Sequence, residues 1–282
     1  MSQGLPEDRY LQVDGFNTRY WLMGEKGSVM ILLHGLGGYV EHWGRNIEAL
    51  SRGHRVYAVD LLGFGRTDKP QVEYTLDRLA DFVLKFMATL GLGKATLVGN
   101  SMGGALALLV AVQAPDRVAR LVLVDALGLG REVVHLPRLL LLPGVGELLT
   151  RPSRASVKKV VDLAFVDATG IPSEFIDLAF EMASLTGAQR ALLSALRATG
   201  SFSNGIQKHL VARFREVLPK IQAPTLVVWG RQDRVFPVRQ AERAVTQFPE
   251  ARLFVMDRAG HLPMLELPEV FNQAVLEFLG QP

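Results

Sequence analysis

The sequence predicts an α/β fold: a mostly parallel central sheet covered by helices on both faces and interrupted by one long helical insertion. Three observations carry this. Short, nearly unbroken apolar runs alternate with longer helical stretches, and several runs stop at Gly, Asp or Ser. The rhythm then lapses between Val124 and Thr225 before resuming. Strands covered on both faces need no polar alternation, which is why the runs read as continuous.

Taken in order, Tyr10–Val13 and Thr18–Met23 flank Asp14-Gly15-Phe16 and predict an antiparallel hairpin at the sheet edge. The parallel strands are expected at Val29–Leu33, Arg55–Val59, Ala95–Val98, Leu121–Val124, Thr225–Trp229 and Arg252–Met256. Helices are expected at Tyr74–Leu90, Met102–Gln113, Val238–Gln247 and Pro268–Leu279. The silent stretch reads as helical, with breaks at Pro137, Pro143, Pro152, Gly170–Pro172, Gly187 and Gly200–Gly205. So long an excursion suggests a cap, giving a core of residues 1–128 and 217–282 and a lid of residues 129–216.

Composition narrows the chemistry. The 282 residues include no cysteine, which excludes thiolate catalysis, Cys-rich zinc sites and disulfides. Lys and Arg number 31 against 28 Asp and Glu, too thin and scattered an excess for a nucleic-acid footprint. The longest apolar run, Met102–Val112, is 11 residues, too short to span a bilayer. The Leu-rich stretch Val133–Leu149 is broken by prolines and charges, so it can touch a membrane but not cross it. No secretory pattern opens the chain, and the expected location is the cytoplasm. A homodimer stays open.

Gly99-Asn100-Ser101-Met102-Gly103 lies between a predicted strand and a predicted helix. There it reads as a tight turn that leaves the serine projecting above the sheet. A serine hydroxyl needs a base, and His261, in Gly260-His261-Leu262 after the last strand, fits best. His34 ends a strand and reads as the residue that orients its loop. His42, His54, His135 and His209 carry no partner pattern.

The base needs an acid, and two aspartates stand at strand ends, Asp233 and Asp125. Asp233 is favoured because it completes the chain order Ser, Asp, His, leaving Asp125 and the strand-end Asp60 as structural residues. Oxyanion donors are expected from the amides of Met102 and of Leu36, in the glycine-rich His34–Gly38 loop. Gly35, Gly37, Val235 and Leu262 are expected at the substrate pocket, lined further by apolar residues of Val133–Leu149 and Phe175–Leu196. No metal or nucleotide motif competes, so no cofactor and no metal ion are expected.

With these pieces in place, the chain resembles the α/β-hydrolase fold serine hydrolases over essentially its whole length. The matching motifs are His34-Gly35-Leu36-Gly37, Asp60-Leu61-Leu62-Gly63-Phe64-Gly65, Gly99 to Gly104, Gly230-Arg231-Gln232-Asp233 and Gly260-His261. The resemblance implies Ser101, Asp233 and His261 as catalytic triad, Leu36 and Met102 as oxyanion hole, and the insertion as a helical lid. The segment Asn100 to Gly104 is similar to carbon-carbon hydrolases of ring-fission products. Those enzymes typically carry Pro and Trp where this chain has Gly38 and Leu262, and Arg190 resembles their substrate-carboxylate arginine but reads first as an exposed helix charge.

The expected function is carboxylesterase- or lipase-like: cleavage of a small apolar ester through an acyl-enzyme. Ring-fission carbon-carbon hydrolysis and a non-catalytic ligand receptor on the same scaffold are the alternatives.

Overall fold

The computed structural model describes residues 4–133, 138–202 and 205–280. The expected break at Pro137 and the reading of His135 lie outside the described residues.

Eight strands form one sheet: β1 (Arg9–Val13), β2 (Phe16–Met23), β3 (Ser28–Leu33), β4 (His54–Val59), β5 (Ala95–Asn100), β6 (Val118–Val124), β9 (Thr225–Gly230) and β10 (Ala251–Met256). Two short strands, β7 (Gly200–Ser201) and β8 (Gly205–Ile206), make a separate ribbon. The sheet order is β1-β2-β4-β3-β5-β6-β9-β10. β1 and β2 pair antiparallel through Asp14-Gly15, at φ 53° and 81°, the paired positive angles of a type I′ turn. β2 runs antiparallel to β4, and every later pairing is parallel.

The continuous apolar runs are explained by burial on both faces. Val29, Ile31 and Leu33 of β3 pack with the helices Leu76–Thr89 and Met102–Gln113, while Met30 and Leu32 pack on the opposite face with Trp43 and Phe271. Residues Met102 to Ala111 are all buried, so this helix is apolar all round rather than striped. The expected helix at Tyr74 begins instead at Leu76, because Thr75 caps it, its Oγ1 accepting from the Arg78 amide at 3.2 Å.

Between β6 and β9 the described residues form helices at Val145–Leu149, Arg154–Ala164, Ser173–Ser184, Ala188–Thr199 and Lys208–Val217. Pro143-Gly144, Pro152, Gly170–Pro172 and Gly187 fall at the junctions, and Gly187 takes φ 87° ahead of its helix. The β7–β8 ribbon at Gly200–Gly205 was not expected. Leu139, Leu148 and Leu149, expected to line a pocket, are 55%, 60% and 49% exposed and face solvent instead. Among the described residues no helix is long and apolar enough to cross a membrane.

Candidate active site

The turn at the end of β5 is built by close backbone approach. A Cβ at Gly99 would stand 2.6 Å from Gly104 N, and one at Gly103 would stand 2.7 Å from the Leu33 carbonyl carbon and 2.8 Å from His34 O. Only glycine fits either position. Between them Ser101 is held at φ 54° and ψ −116°, a strained geometry that costs about 1–3 kcal/mol. Its surroundings enforce it: the Ser101 amide donates to Val124 O at 2.8 Å, and Ser101 O accepts from Gly104 and Leu127 amides, each at 3.0 Å.

The loop after β3 lies against this turn, and a Cβ at Gly35 would come within 3.1 Å of Ser101 Cβ. His34 fixes the loop. The Leu61 amide donates to His34 Nε2 at 3.0 Å, so the ring proton sits on Nδ1, which donates to Gly35 O at 2.7 Å. Burial pushes the imidazole down to about 3, and it stays neutral. Asp60 braces the same loop, accepting from the Val40 and Arg66 amides at 2.7 Å and from Arg19 Nη1 at 3.3 Å. Burial, only partly offset by Arg19, pushes its carboxyl up to about 6. Among the described residues the Leu36 and Met102 amides donate to no other group, so both are free to meet an oxyanion.

Asp233 and His261 are brought together from the ends of β9 and β10. His261 Nδ1 and Asp233 Oδ2 are 2.8 Å apart, and Asp233 Oδ1 accepts from the Val235 and Phe236 amides at 2.6 and 3.0 Å. The Phe236 ring meets the imidazole edge-on at 5.2 Å. The His261 backbone is tied to the serine turn by Asn100, whose Nδ2 donates to His261 O at 3.1 Å and to Val124 O at 3.2 Å. Among the described residues no hydrogen bond joins the Ser101 hydroxyl to the imidazole, a contact that in such sites tightens when substrate is held. Ser101, Asp233 and His261 are all buried.

Two residues that sequence reasoning missed or set aside complete the surroundings. Glu266 accepts from the Gly260 and Val166 amides, both at 2.7 Å, and the His261 amide donates to Ala164 O at 2.8 Å. Together these moor the histidine loop to the end of the Arg154–Ala164 helix. Asp125, weighed as an alternative acid, lies beside Asp233, which holds the hydrogen bond to His261. Asp125 Oδ1 accepts from the Gly230 amide at 3.0 Å, and one ligand atom each from Asp125, Asp233 and His261 lie within 4.8 Å of one another. Two ligands of one tetrahedral ion at about 2.0–2.2 Å would stand about 3.4 Å apart. The 2.8 Å imidazole–carboxylate separation is a hydrogen bond, so the trio fits a proton better than a cation.

Of the expected pocket residues, Gly35 borders Ser101, and Gly37 lies under Leu192, whose Cδ1 a Cβ there would meet at 3.4 Å. Val235 sits on the Asp233 loop, and Leu262 is buried with Trp43 and Phe165. Phe175 stacks on His42 at 6.1 Å. Arg190 is exposed and donates to Lys69 O at 2.9 Å. A cavity of about 520 Å³ lined by Arg131, Glu132, Gln240 and Arg243 includes none of these site residues.

The chain is 33% identical over 273 residues, 96% of its length and 69% of the relative's, to the dihydrolipoyllysine-residue acetyltransferase component of the acetoin cleaving system of Cupriavidus necator. It is 32% identical to 2-hydroxy-6-oxo-6-(2'-aminophenyl)hexa-2,4-dienoic acid hydrolase of Metapseudomonas resinovorans, over 97% of this chain and 91% of that one. The crystal structure of a bacterial membrane phospholipase A superposes with a TM-score of 0.79 and 28% identity, covering 98% of this chain and 86% of that one. The family model matches residues 28–268, and the chain belongs to the alpha/beta hydrolase fold family.

Proposed function

We propose that the chain is a serine hydrolase that cleaves carboxylic esters of apolar small molecules through an acyl-enzyme. The observation that supports this is the buried Asp233–His261 hydrogen bond, its histidine tied by Asn100 to the turn that strains Ser101, together with two uncommitted amides. Ser101 Oγ attacks the carbonyl carbon as His261 Nε2 takes its proton, and Asp233 holds the ring and stabilises the imidazolium. The Leu36 and Met102 amides receive the developing oxyanion. His261 then returns the proton to the leaving alcohol, and water, activated the same way, releases the acid. Residues 129–216 serve as the cap that keeps this exchange dry.

The structural likeness to a phospholipase A supports the ester reading. So does Arg190, which is exposed and donates to Lys69 O rather than standing buried and ready for a dienoate carboxylate. The carbon-carbon reading is favoured by the likeness to the dienoic acid hydrolase.

The test is a panel of short p-nitrophenyl esters against a ring-fission dienoate, each with a Ser101→Ala control. Ester turnover at least about 10³ above that control, with the control's melting curve unchanged, is expected. Preferential dienoate turnover reverses the order of the two readings, and binding without any turnover makes the protein a receptor. Asp233→Asn is expected to lower kcat by about 10⁴, far more than Asp125→Asn, and the opposite ranking transfers the acid's role.

A further inference from the structure

We infer that the Asp125 carboxyl is neutral and donates its proton through Oδ2 to the Asp233 carboxylate, making Asp125 a positioning residue that shares one proton with the acid of the site. This rests on reading Asp233 as the partner of His261.

Asp233 Oδ1 is occupied by two amides, and Oδ2 by the imidazole, which leaves Oδ2 able to accept once more. Asp125 is fully buried, its Oδ1 accepts from Gly230, and its Oδ2 is buried with no partner. An ionised Asp125 would point an orphaned anionic oxygen toward a second carboxylate less than 5 Å away. Leaving such a charge uncompensated in the interior is strongly unfavourable. A proton on Oδ2 removes both faults, since it erases one charge and turns the orphaned acceptor into a donor.

No cation stands ready to neutralise the pair instead. The titratable groups facing Asp125 are Asp233, His261 and Glu266. The imidazole Nδ1 is already committed to Asp233, and Glu266 adds only further negative potential. Burial first, and then the Asp233 charge, push the Asp125 carboxyl well above the usual carboxylate range.

The backbone holds Asp125 where this requires it. The residue adopts φ 45°, and its amide donates to Val228 O at 3.0 Å. The carboxyl is therefore fixed by two neighbouring strands and has no solvated alternative.

The consequence is a pair carrying one negative charge rather than two. When Ser101 attacks, its proton moves to His261 Nε2 while the Asp125 proton stays in place. The imidazolium then forms against a single charge already shared through a hydrogen bond. That donation satisfies the free lone pair of Asp233 Oδ2 while the ground-state proton stays on Nδ1.

Two variants separate charge from hydrogen bonding. In Asp125→Asn the amide Oδ1 still accepts from Gly230 while Nδ2 donates to Asp233, so the neutral donor is reproduced. Asp125→Ala removes it. The infrared difference between wild type and Asp125→Asn at pH 7 is expected to show one protonated-carboxyl C=O band present only in the wild type. In phosphonate labelling of Ser101 against pH, Asp125→Asn should hold the acid limb within about 0.3 pH unit of wild type. Asp125→Ala should label more slowly, with its limb moved to higher pH. Loss of carboxylate bands instead of a protonated-carboxyl band, or an acid limb about one unit lower in Asp125→Asn, would mean that Asp125 is charged and overturn the inference. A wild type that cannot be labelled would sink the serine reading alone, because the infrared measurement needs no turnover.

Discussion

Gly103→Ala is the most direct probe of how the site is assembled. A Cβ there would sit 2.7 Å from the Leu33 carbonyl carbon and 2.8 Å from His34 O, with Leu33 O closer still. Non-bonded carbons settle at about 3.5 Å or more, so the gap must open by about 0.8 Å. Every obstructing atom is backbone, and no side-chain rotation relieves it. Overpacking of this kind costs about 1–3 kcal/mol, and with rigid obstacles the upper end applies. Alanine's better helix propensity returns about 1 kcal/mol. The net loss of about 2 kcal/mol corresponds to about 4–8 °C in Tm for a chain of this size. The same wedge pushes the loop bearing Leu36 away from Ser101, and a displacement near 1 Å costs about 10²-fold in rate. Phosphonate labelling rates and thermal melts measure both effects. Gly93→Ala is the control, since nothing lies within 4 Å of a Cβ there. If Gly103→Ala melts within about 1 °C of wild type and labels within about threefold of it, the close approach plays no part in shaping the site.

Three further outcomes are expected. His34 falls to about 3 when folded against 6.5 when free, so it resists protonation only in the folded state, and stability is lost as pH drops below about 6.5. His34→Gln can reproduce both hydrogen bonds without titrating, so between pH 7 and 5 it should lose about 2 kcal/mol less than wild type in denaturant titrations; equal losses would remove His34 as the source. Glu266→Ala frees the Gly260 and Val166 amides and should slow labelling by about tenfold while a Glu266→Gln variant recovers part of the rate; no change would show that the histidine loop holds itself. Arg190→Ala should leave KM for esters and dienoates within about twofold, because an exposed arginine contributes little; a rise confined to dienoates would assign it their carboxylate.

The strands were legible because burial on both faces writes itself as unbroken apolar runs, and the serine turn because its glycines are steric necessities. Boundaries were less legible: β6 begins at Val118, not Leu121, since Arg120 interrupts its apolar run and Ala119 and Arg120 are only partly buried. Glu266 escaped notice because its work is done on backbone amides, which leave no side-chain pattern to read. Arg19 was equally silent. It closes the polar run Asn17-Thr18-Arg19 of β2, yet it is buried and paired with Asp8, Glu41 and Asp60. Asp125 and Asp233 looked like rivals along the chain because linear spacing cannot say that the ends of β6 and β9 are adjacent. The exposed leucines of the insertion misled for the opposite reason, since an apolar residue in a short helix has no obligation to face inward.

The mooring of the histidine loop to Ala164 and Val166 makes His261, the proposed general base, a passenger of the overlying helix. Any excursion that lifts this flank drags the imidazole off register with the nucleophile. Under the proposed mechanism, opening this flank and attacking substrate would therefore exclude one another.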